Sequence, residues 1–283
     1  MHIGAAIFFT DYSVAPAWLG RELQARGFES CWAPEHSHIP VARNTGFPSG
    51  GDLPKAYYDT LDPFVALTAV AAATTTLKIG TGVCLIAQRD PIQTAKLVAS
   101  IDQISAGRFL FGVGNGWNRE EMENHGTNFA GRHKLARERI EAMKEIWTKS
   151  KAEYHGESVN FDPIFAWPKP TQRPHPPVYV GGAFPYGARR AIRYGSAWMP
   201  HRARPQYPDV VAKLPEYQAL LAESGLSMAD RPVSVWGGKP DLDALRRDRD
   251  AGVVRVIMTL PSAGAEEVLP RLDRWAEVIH RLA

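Results

Sequence analysis

Residues 2–33 read HIGAAIFFTDYSVAPAWLGRELQARGFESCWA. The apolar run from His2 to Phe9 has the length and β-branched or aromatic content of a buried strand. Val14 to Arg26 then spaces its apolar residues for a helix, with Ser13 placed to cap it and Gly27 to stop it. Phe28 to Ala33 is a second apolar run. Strand, helix and strand in such a short span form a βαβ unit, so the two strands lie parallel.

The same rhythm continues outward from this unit. Thr60 to Thr75 is helical and Leu77 to Ile86 is a third strand. Asp90-Pro91 opens a helix, because proline at the first helical position gives up no needed hydrogen bond, and Ala106-Gly107 ends it. Arg108 to Gly114 is the fourth strand, and a longer helix covers about Arg132 to Lys149. Lys151 to Pro177 contains six prolines and reads as a stiffened excursion with a small hairpin around His155-Gly156. Four more strands follow: Pro177–Gly181, Ser196–Met199, Pro232–Trp236 and Val253–Leu260. Between and after them lie helices Tyr186–Tyr194, Gln206–Ser224 (broken near Pro215), Leu242–Asp250 and Ala265–Arg281. Eight strands in regular alternation predict an α/β fold, a closed (β/α)8 TIM barrel rather than a doubly wound sheet. No shift of composition interrupts it, so residues 1–283 are expected to form one domain.

Composition narrows the partners. The chain has a formal net charge of +3, with 45% hydrophobic and 22% charged residues. That basic excess is too small and too scattered to predict nucleic acid. No run approaches the ~20 apolar residues of a membrane span, and residues 1–9 lack a cationic leader. A cytoplasmic protein acting on a small-molecule substrate is therefore expected. The two cysteines, Cys31 and Cys84, sit in apolar runs and read as reduced core thiols.

In such barrels the chemistry sits at the C-terminal ends of the strands. Glu35-His36-x-His38 follows the second strand and brings a carboxylate and two imidazoles to the mouth; His201 follows the sixth. His36 is the leading acid/base candidate because imidazole titrates near neutrality. Glu35 would orient or tune it, and His201 is a second candidate. A metal-dependent hydrolase would need further ligands from later strands, and the eighth ends in Met258-Thr259-Leu260-Pro261, without a carboxylate. No metal site is predicted. Glycines crowd the mouth, and Gly181-Gly182-Ala183 opens a helix whose free N–H groups suit a phosphate. The aromatics Phe8, Phe9, Trp32, Trp117, Trp198 and Trp236 divide between core and the walls of a planar ligand. Pro34 to Asp59, with Gly46, Gly50 and Gly51, reads as a surface loop or a substrate lid.

Several ordered segments resemble one known family. They are Trp32-Ala33-Pro34-Glu35-His36-Ser37-His38-Ile39-Pro40, Leu61-Asp62-Pro63-Phe64, Gly80-Thr81-Gly82-Val83, Arg89-Asp90-Pro91, Gly107-Arg108-Phe109, Gly112-Val113-Gly114-Asn115-Gly116-Trp117-Asn118, and Pro168-Lys169-Pro170 leading to Pro177-Val178-Tyr179-Val180-Gly181-Gly182. In this order they resemble the bacterial luciferase-like superfamily of flavin and deazaflavin barrels, nearest the branch of F420-dependent oxidoreductases. The resemblance covers nearly the whole chain. It implies coenzyme F420, with FMN as the alternative cofactor and a luciferase-like monooxygenase as the alternative activity. It further implies Phe8 at the ring, Gly82, Val83 and Cys84 behind it (often beside a cis peptide), and Gly114, Asn115, Gly116, Trp117 and Asn118 along the ring or ribityl chain. Gly181, Gly182 and Ala183 would take the phosphate, and Glu35 and His36 would face the ring edge. An acidic cofactor tail would look for Arg43, Arg89, Arg119, Arg189, Arg202 or Arg204. Many deazaflavin members carry an acidic residue where this chain has Asn115, a departure that keeps FMN open. Family members are often dimers; no sequence signal here specifies an interface. On this reading, Gly181→Val is expected to abolish cofactor binding and spare the fold.

Overall fold

The computed structural model describes residues 1–282. Eight strands form the barrel: β1 His2–Ala6, β2 Ser30–Ala33, β3 Lys78–Thr81, β4 Phe109–Gly114, β5 Val178–Gly181, β6 Ala197–Met199, β7 Val233–Trp236 and β8 Val253–Thr259. Each pairs in parallel with the next, and β8 pairs back onto β1 with Ile3 opposite Val256. The barrel is therefore closed and has no free edge. Around it run α1 Pro16–Ala25, α2 Pro63–Ala72, α3 Pro91–Ile104, α4 Arg132–Thr148, α5 Tyr186–Tyr194, α6 Leu214–Glu223, α7 Leu242–Asp250 and α8 Ala265–Leu282. An antiparallel hairpin, Ala152–His155 with Asn160–Ile164, follows α4. No helix among the described residues is long and apolar enough to cross a membrane.

Local chemistry sets the helix ends. Asp62 accepts from the Phe64 and Val65 amides at the start of α2, Asp90 from Gln93 at the start of α3, and Asp241 from Asp243 and Ala244 at the start of α7. Each supplies an acceptor to N–H groups that have no partner inside the helix. Gly27, at φ +76, ends α1 in a conformation side chains resist. Leu19, Leu67, Val98 and Ile140 lie in the core between strands and helices. A smaller cluster built on Trp32, Leu110, Tyr179, Met199 and Ile257 fills the barrel interior.

Three expectations need correction. Ser13 does not cap α1: Ala15 holds the cap position, while the Ser13 hydroxyl accepts from the Thr10 amide and donates to the Thr10 carbonyl in a turn before it. Pro215 does not break a helix but lies in the first turn of α6, where its missing N–H costs nothing, after a short 3-10 turn at Val210–Lys213. The third strand is not continuous. It stops at Thr81 and resumes only as Cys84–Leu85, with a cis peptide between Gly82 and Val83.

At the N-terminal end of the barrel, Arg255 donates to both carboxylate oxygens of Glu29 at 2.8 and 2.7 Å, and to Tyr179 and Ser234 at 3.1 Å each. Burial pushes the Glu29 carboxyl up, but the hydrogen bonds and charge of Arg255, with Ser30 and Lys78 adding, hold it down at about 2. Because this folded value lies below the ordinary 4.5, the pair contributes stability above about pH 4.5 and loses it as pH falls towards 2. Glu29→Gln leaves a buried guanidinium without its charge partner. It is expected to cost about 3–5 kcal/mol at pH 7. In urea unfolding the gap to wild type should close between pH 4.5 and 2; a gap independent of pH would contradict this account.

Candidate active site

At the C-terminal ends of the strands lies a cavity of about 550 Å3, to which all eight strands or the loops just after them contribute. Its size is that of a small-molecule site.

One wall is backbone. Glycines let β3 and β4 approach until a Cβ on Gly112 would overlap the Thr81 carbonyl oxygen and one on Gly114 would overlap Val83. The Thr81 hydroxyl ties the seam by donating to the Gly112 carbonyl at 2.7 Å. A Cβ on Gly82 would strike Trp236 across the mouth. The glycines read from sequence as leaving room for a ligand thus serve first to let protein pack on protein. Gly181 belongs with them: its Cβ would sit 3.2 Å from Val83 and 3.3 Å from the Val113 carbonyl. Gly181→Val would therefore disturb the barrel wall itself, and the expectation that it spares the fold is withdrawn. Gly182, at φ +125, needs glycine for its backbone alone.

Of the residues singled out from sequence, Phe8, Glu35, His36, Gly82, Val83, Gly114, Asn115, Gly116, Trp117, Gly181, Gly182 and His201 line this cavity. Cys84, Asn118 and Ala183 do not. Val83 and Leu85 face the cavity, so the extended chain turns Cys84 the other way, into the helix-side core, where burial raises its thiol well above the usual range. Asn118 is buried behind the mouth, just before a short helix, Arg119–Asn124. Ala183 is partly buried against the helix-side core as the chain turns into α5.

The carboxylates are arranged differently from expectation. Glu35 does not touch His36. It accepts from the Leu85 amide at 2.7 Å and from Arg89 Nε at 2.5 Å, and Arg89 also reaches Asp62 at 2.6 Å. Burial pushes the Glu35 carboxyl up, against the pull of Arg89 and the Leu85 amide. Its place is structural: it pins the resumed third strand to the end of β2. The partner of His36 is Glu121, on the short helix, with Oε2 2.7 Å from Nδ1 and both side chains buried. Burial pushes Glu121 up as well, but His36, the Gln88 amide and the Ser37 N–H bring it below the ordinary carboxylate range. An ionised carboxylate only accepts, so Nδ1 donates and Nε2 is the ring nitrogen left over at the cavity. Sequence reading passed over Glu121. The signal was its place within one short helix of Trp117-Asn118, among the residues of the mouth.

His201 lies beside Trp236, open to the cavity; crowding by the surrounding protein, with Arg204 adding, lowers its pKa, so its ring is neutral at neutral pH. His38 does not line the cavity; it meets Ser37, Asn124 and His125 on the outer side of the loop. No group of three or more His, Cys, Asp or Glu that could hold a metal was found among the described residues.

Beside Gly182 stands a cationic corner. Arg190, on α5, comes within 2.7 Å of where a Gly182 Cβ would be, makes no ion pair among the described residues, and has a buried Nε without a hydrogen-bond partner there. Arg132 lies behind it, donating to the Phe129 carbonyl at 2.8 Å and stacked on the Phe129 ring; it feels the charge of Arg190, and its Nε too is buried and unpartnered. His133, also on the cavity, hydrogen-bonds Asn115 at 2.5 Å, and burial and both arginines keep it neutral. Paired cations without an anion are unfavourable unless a ligand brings one. The arginines named from sequence mostly have other duties: Arg89 holds Glu35, Arg202 holds Asp248, Arg119 faces Glu123, Arg43 lies over Trp117, and Arg189 is exposed. Arg204 does line the cavity.

A family profile described as luciferase-like monooxygenase matches residues 17–239. The chain belongs to this family. Among its relatives, the uncharacterized protein Rv0953c of Mycobacterium tuberculosis is 37% identical over 98% of both chains. Two solved structures share the (β/α)8 fold: the monooxygenase RslO1 of Streptomyces bottropensis (TM-score 0.78, 21% identity, 99% of both chains) and the coenzyme F420 dependent tetrahydromethanopterin reductase of Methanopyrus kandleri (TM-score 0.78, 18% identity, 100% of this chain and 99% of the other). The chain is thus an enzyme of the oxidoreductase and monooxygenase kind, and its solved neighbours include a monooxygenase and a coenzyme F420 dependent reductase.

The cationic corner makes a prediction that needs no cofactor. Arg190→Gln removes an uncompensated charge, so it is expected to raise the melting temperature of the cofactor-free protein by about 2–4 °C. Inorganic phosphate should stabilise the wild type and not the variant. Scanning fluorimetry reads both, and a variant that melts lower or keeps the phosphate effect would refute the anion site.

Proposed function

We propose that this chain is an F420-dependent oxidoreductase, acting as one domain, that moves a hydride between the deazaflavin and a small organic substrate in the barrel mouth. The observation that carries the reading is Arg190, a lining cation without an anionic partner among the described residues, beside Gly181 and Gly182 and with Arg132 behind it, on the cavity that Gly82 and Val83 also line. That donor set suits a phosphate, and the wall suits a flat ring. Gly114, Asn115 and Gly116 lie between the two and would follow the chain that joins them. When bound, the deazaflavin accepts or supplies the hydride.

The protein's own part is proton handling and orientation. Glu121 fixes the Nδ1–H of His36, so Nε2 is the atom that takes the hydroxyl proton as a hydride leaves a carbinol carbon, or returns it in the reverse direction. Glu35, through Leu85, holds the wall in place. His201, being neutral, serves as a hydrogen-bonding group. The alternative is an FMN-dependent luciferase-like monooxygenase; Asn115, a neutral side chain engaged with His133, is the feature that favours it.

Fluorescence or calorimetric titration with coenzyme F420 and separately with FMN tests the proposal. Tight F420 binding with weak FMN binding supports hydride transfer, FMN preference moves the enzyme to the monooxygenases, and binding of neither refutes the site. In the protein that binds, Arg190→Gln should weaken cofactor affinity about 10–100-fold. His36→Ala should cut turnover about 10²–10⁴-fold with a far smaller change in cofactor affinity; full activity would remove His36 from the mechanism.

A further inference from the structure

The charges of the cavity do not balance once a cofactor phosphate is assigned to Arg190 and Arg132. Among the described residues Glu35 is the only carboxylate on the lining, and it is engaged by Arg89. Glu121 lies behind His36 and is engaged by it. Arg204 remains. It lines the cavity from the loop after β6, and only its backbone is hydrogen-bonded, to Tyr207. Its guanidinium makes no ion pair or hydrogen bond with the described residues. The groups that sense its charge are His201, Tyr57 and Tyr207, all neutral at neutral pH. Partial burial lowers its pKa, the direction expected of a cation without an anionic partner.

Next to it stands a box of rings. Tyr57 is 4.4 Å from Phe8, 5.2 Å from His36 and 5.3 Å from Phe47 by ring centroids. Trp117 is 5.8 Å from both His36 and Phe47. All five rings line the cavity. Phe47 belongs to the loop after β2, which is fastened to the barrel where the Asn44 and Thr45 amides donate to Glu120 at 2.9 and 3.1 Å. Tyr57 neighbours both His36 and Arg204. Tyr57 thus stands in the cavity between a ring contact to His36 and the reach of the Arg204 charge.

Resting on the hydride-transfer reading above, we propose that the substrate has a planar apolar body and a carboxylate: the box holds the body, Arg204 takes the carboxylate, and the reacting carbinol or carbonyl meets His36. The planar guanidinium of Arg204, the arginine that lines this side of the cavity, has a fork that matches the two oxygens of a carboxylate. Arg204 is then a specificity-determining residue, and the enzyme would turn over aryl hydroxy or oxo acids in preference to the corresponding amides. An acidic cofactor tail offers the same carboxylate chemistry, so the experiment separates the two sources.

Calorimetric titration of the whole protein, with and without its cofactor, uses 4-(hydroxymethyl)benzoate, its neutral amide and acetate. The expected result is binding of the benzoate about tenfold or more tighter than the amide or acetate. Arg204→Met should abolish the preference while leaving the amide, F420 and FMN affinities within about twofold, and Tyr57→Ala should weaken benzoate and amide alike. Equal affinity of wild type for benzoate and amide overturns the proposal without any variant. A preference that survives Arg204→Met overturns it too. Loss of F420 but not FMN affinity in Arg204→Met, with the benzoate preference kept, overturns it and gives Arg204 to the cofactor tail. Failure to bind either cofactor while the benzoate preference persists would instead count against the hydride-transfer reading.

Discussion

The close contact of β3 and β4 governs the site. Gly112 presses on the Thr81 carbonyl, Gly114 presses on Val83, and the Thr81 hydroxyl bridges the two strands. A side chain at either glycine would force the strands apart. Since β3 also pairs with β2 and β4 with β5, such a shift would travel around a closed ring of hydrogen bonds. The same contact sets Gly82 and Val83 on the cavity lining, beside Trp236. Packing, more than ligand clearance, explains the glycine density, and the flat wall follows from it.

Onto this frame the charged groups are placed unequally. Each acidic side chain at the mouth has a partner that spends its charge: Glu35 has Arg89, and Glu121 has His36. The basic side chains Arg190 and Arg204, both on the lining, have no acidic partner among the described residues. The mouth is therefore electropositive at two points, with an aromatic box beside one and a glycine turn beside the other. That distribution, unlike the barrel itself, speaks to what is bound, because a fold hosts many activities and a site few.

The barrel was legible because strand and helix periods are local properties. Tyr186–Tyr194 and Leu242–Asp250 were read with the boundaries observed. The broken third strand was not, since Leu77–Ile86 is uniformly apolar and the interruption arises from contacts with β4 and Trp236. Ser13 has the right chemistry for a cap but lies in an earlier turn. In the site, His36 was legible as a histidine at a strand end, whereas its partner was not, because Glu121 is distant in sequence and resembles any acidic residue of a first helical turn. The basic corner was missed by one position. Arg189 was named and is exposed, while Arg190 faces the cavity, since one residue along a helix turns the side chain by about 100°. The mouth motifs located the cavity, but pairing across it had to come from the three-dimensional arrangement.

The loop tethered by Glu120 divides the cavity in a way that bears on how such enzymes diverge. Its Phe47 and Tyr57 side chains, with Arg204 opposite, belong to connections rather than to strands. The wall of Gly82 and Val83, by contrast, is locked into the seam of the barrel. Changes of length or residue type in the connections can remodel one half of the cavity without touching the other. New substrates can therefore be acquired while the cofactor half stays constant, and selectivity can drift quickly on a scaffold that barely changes.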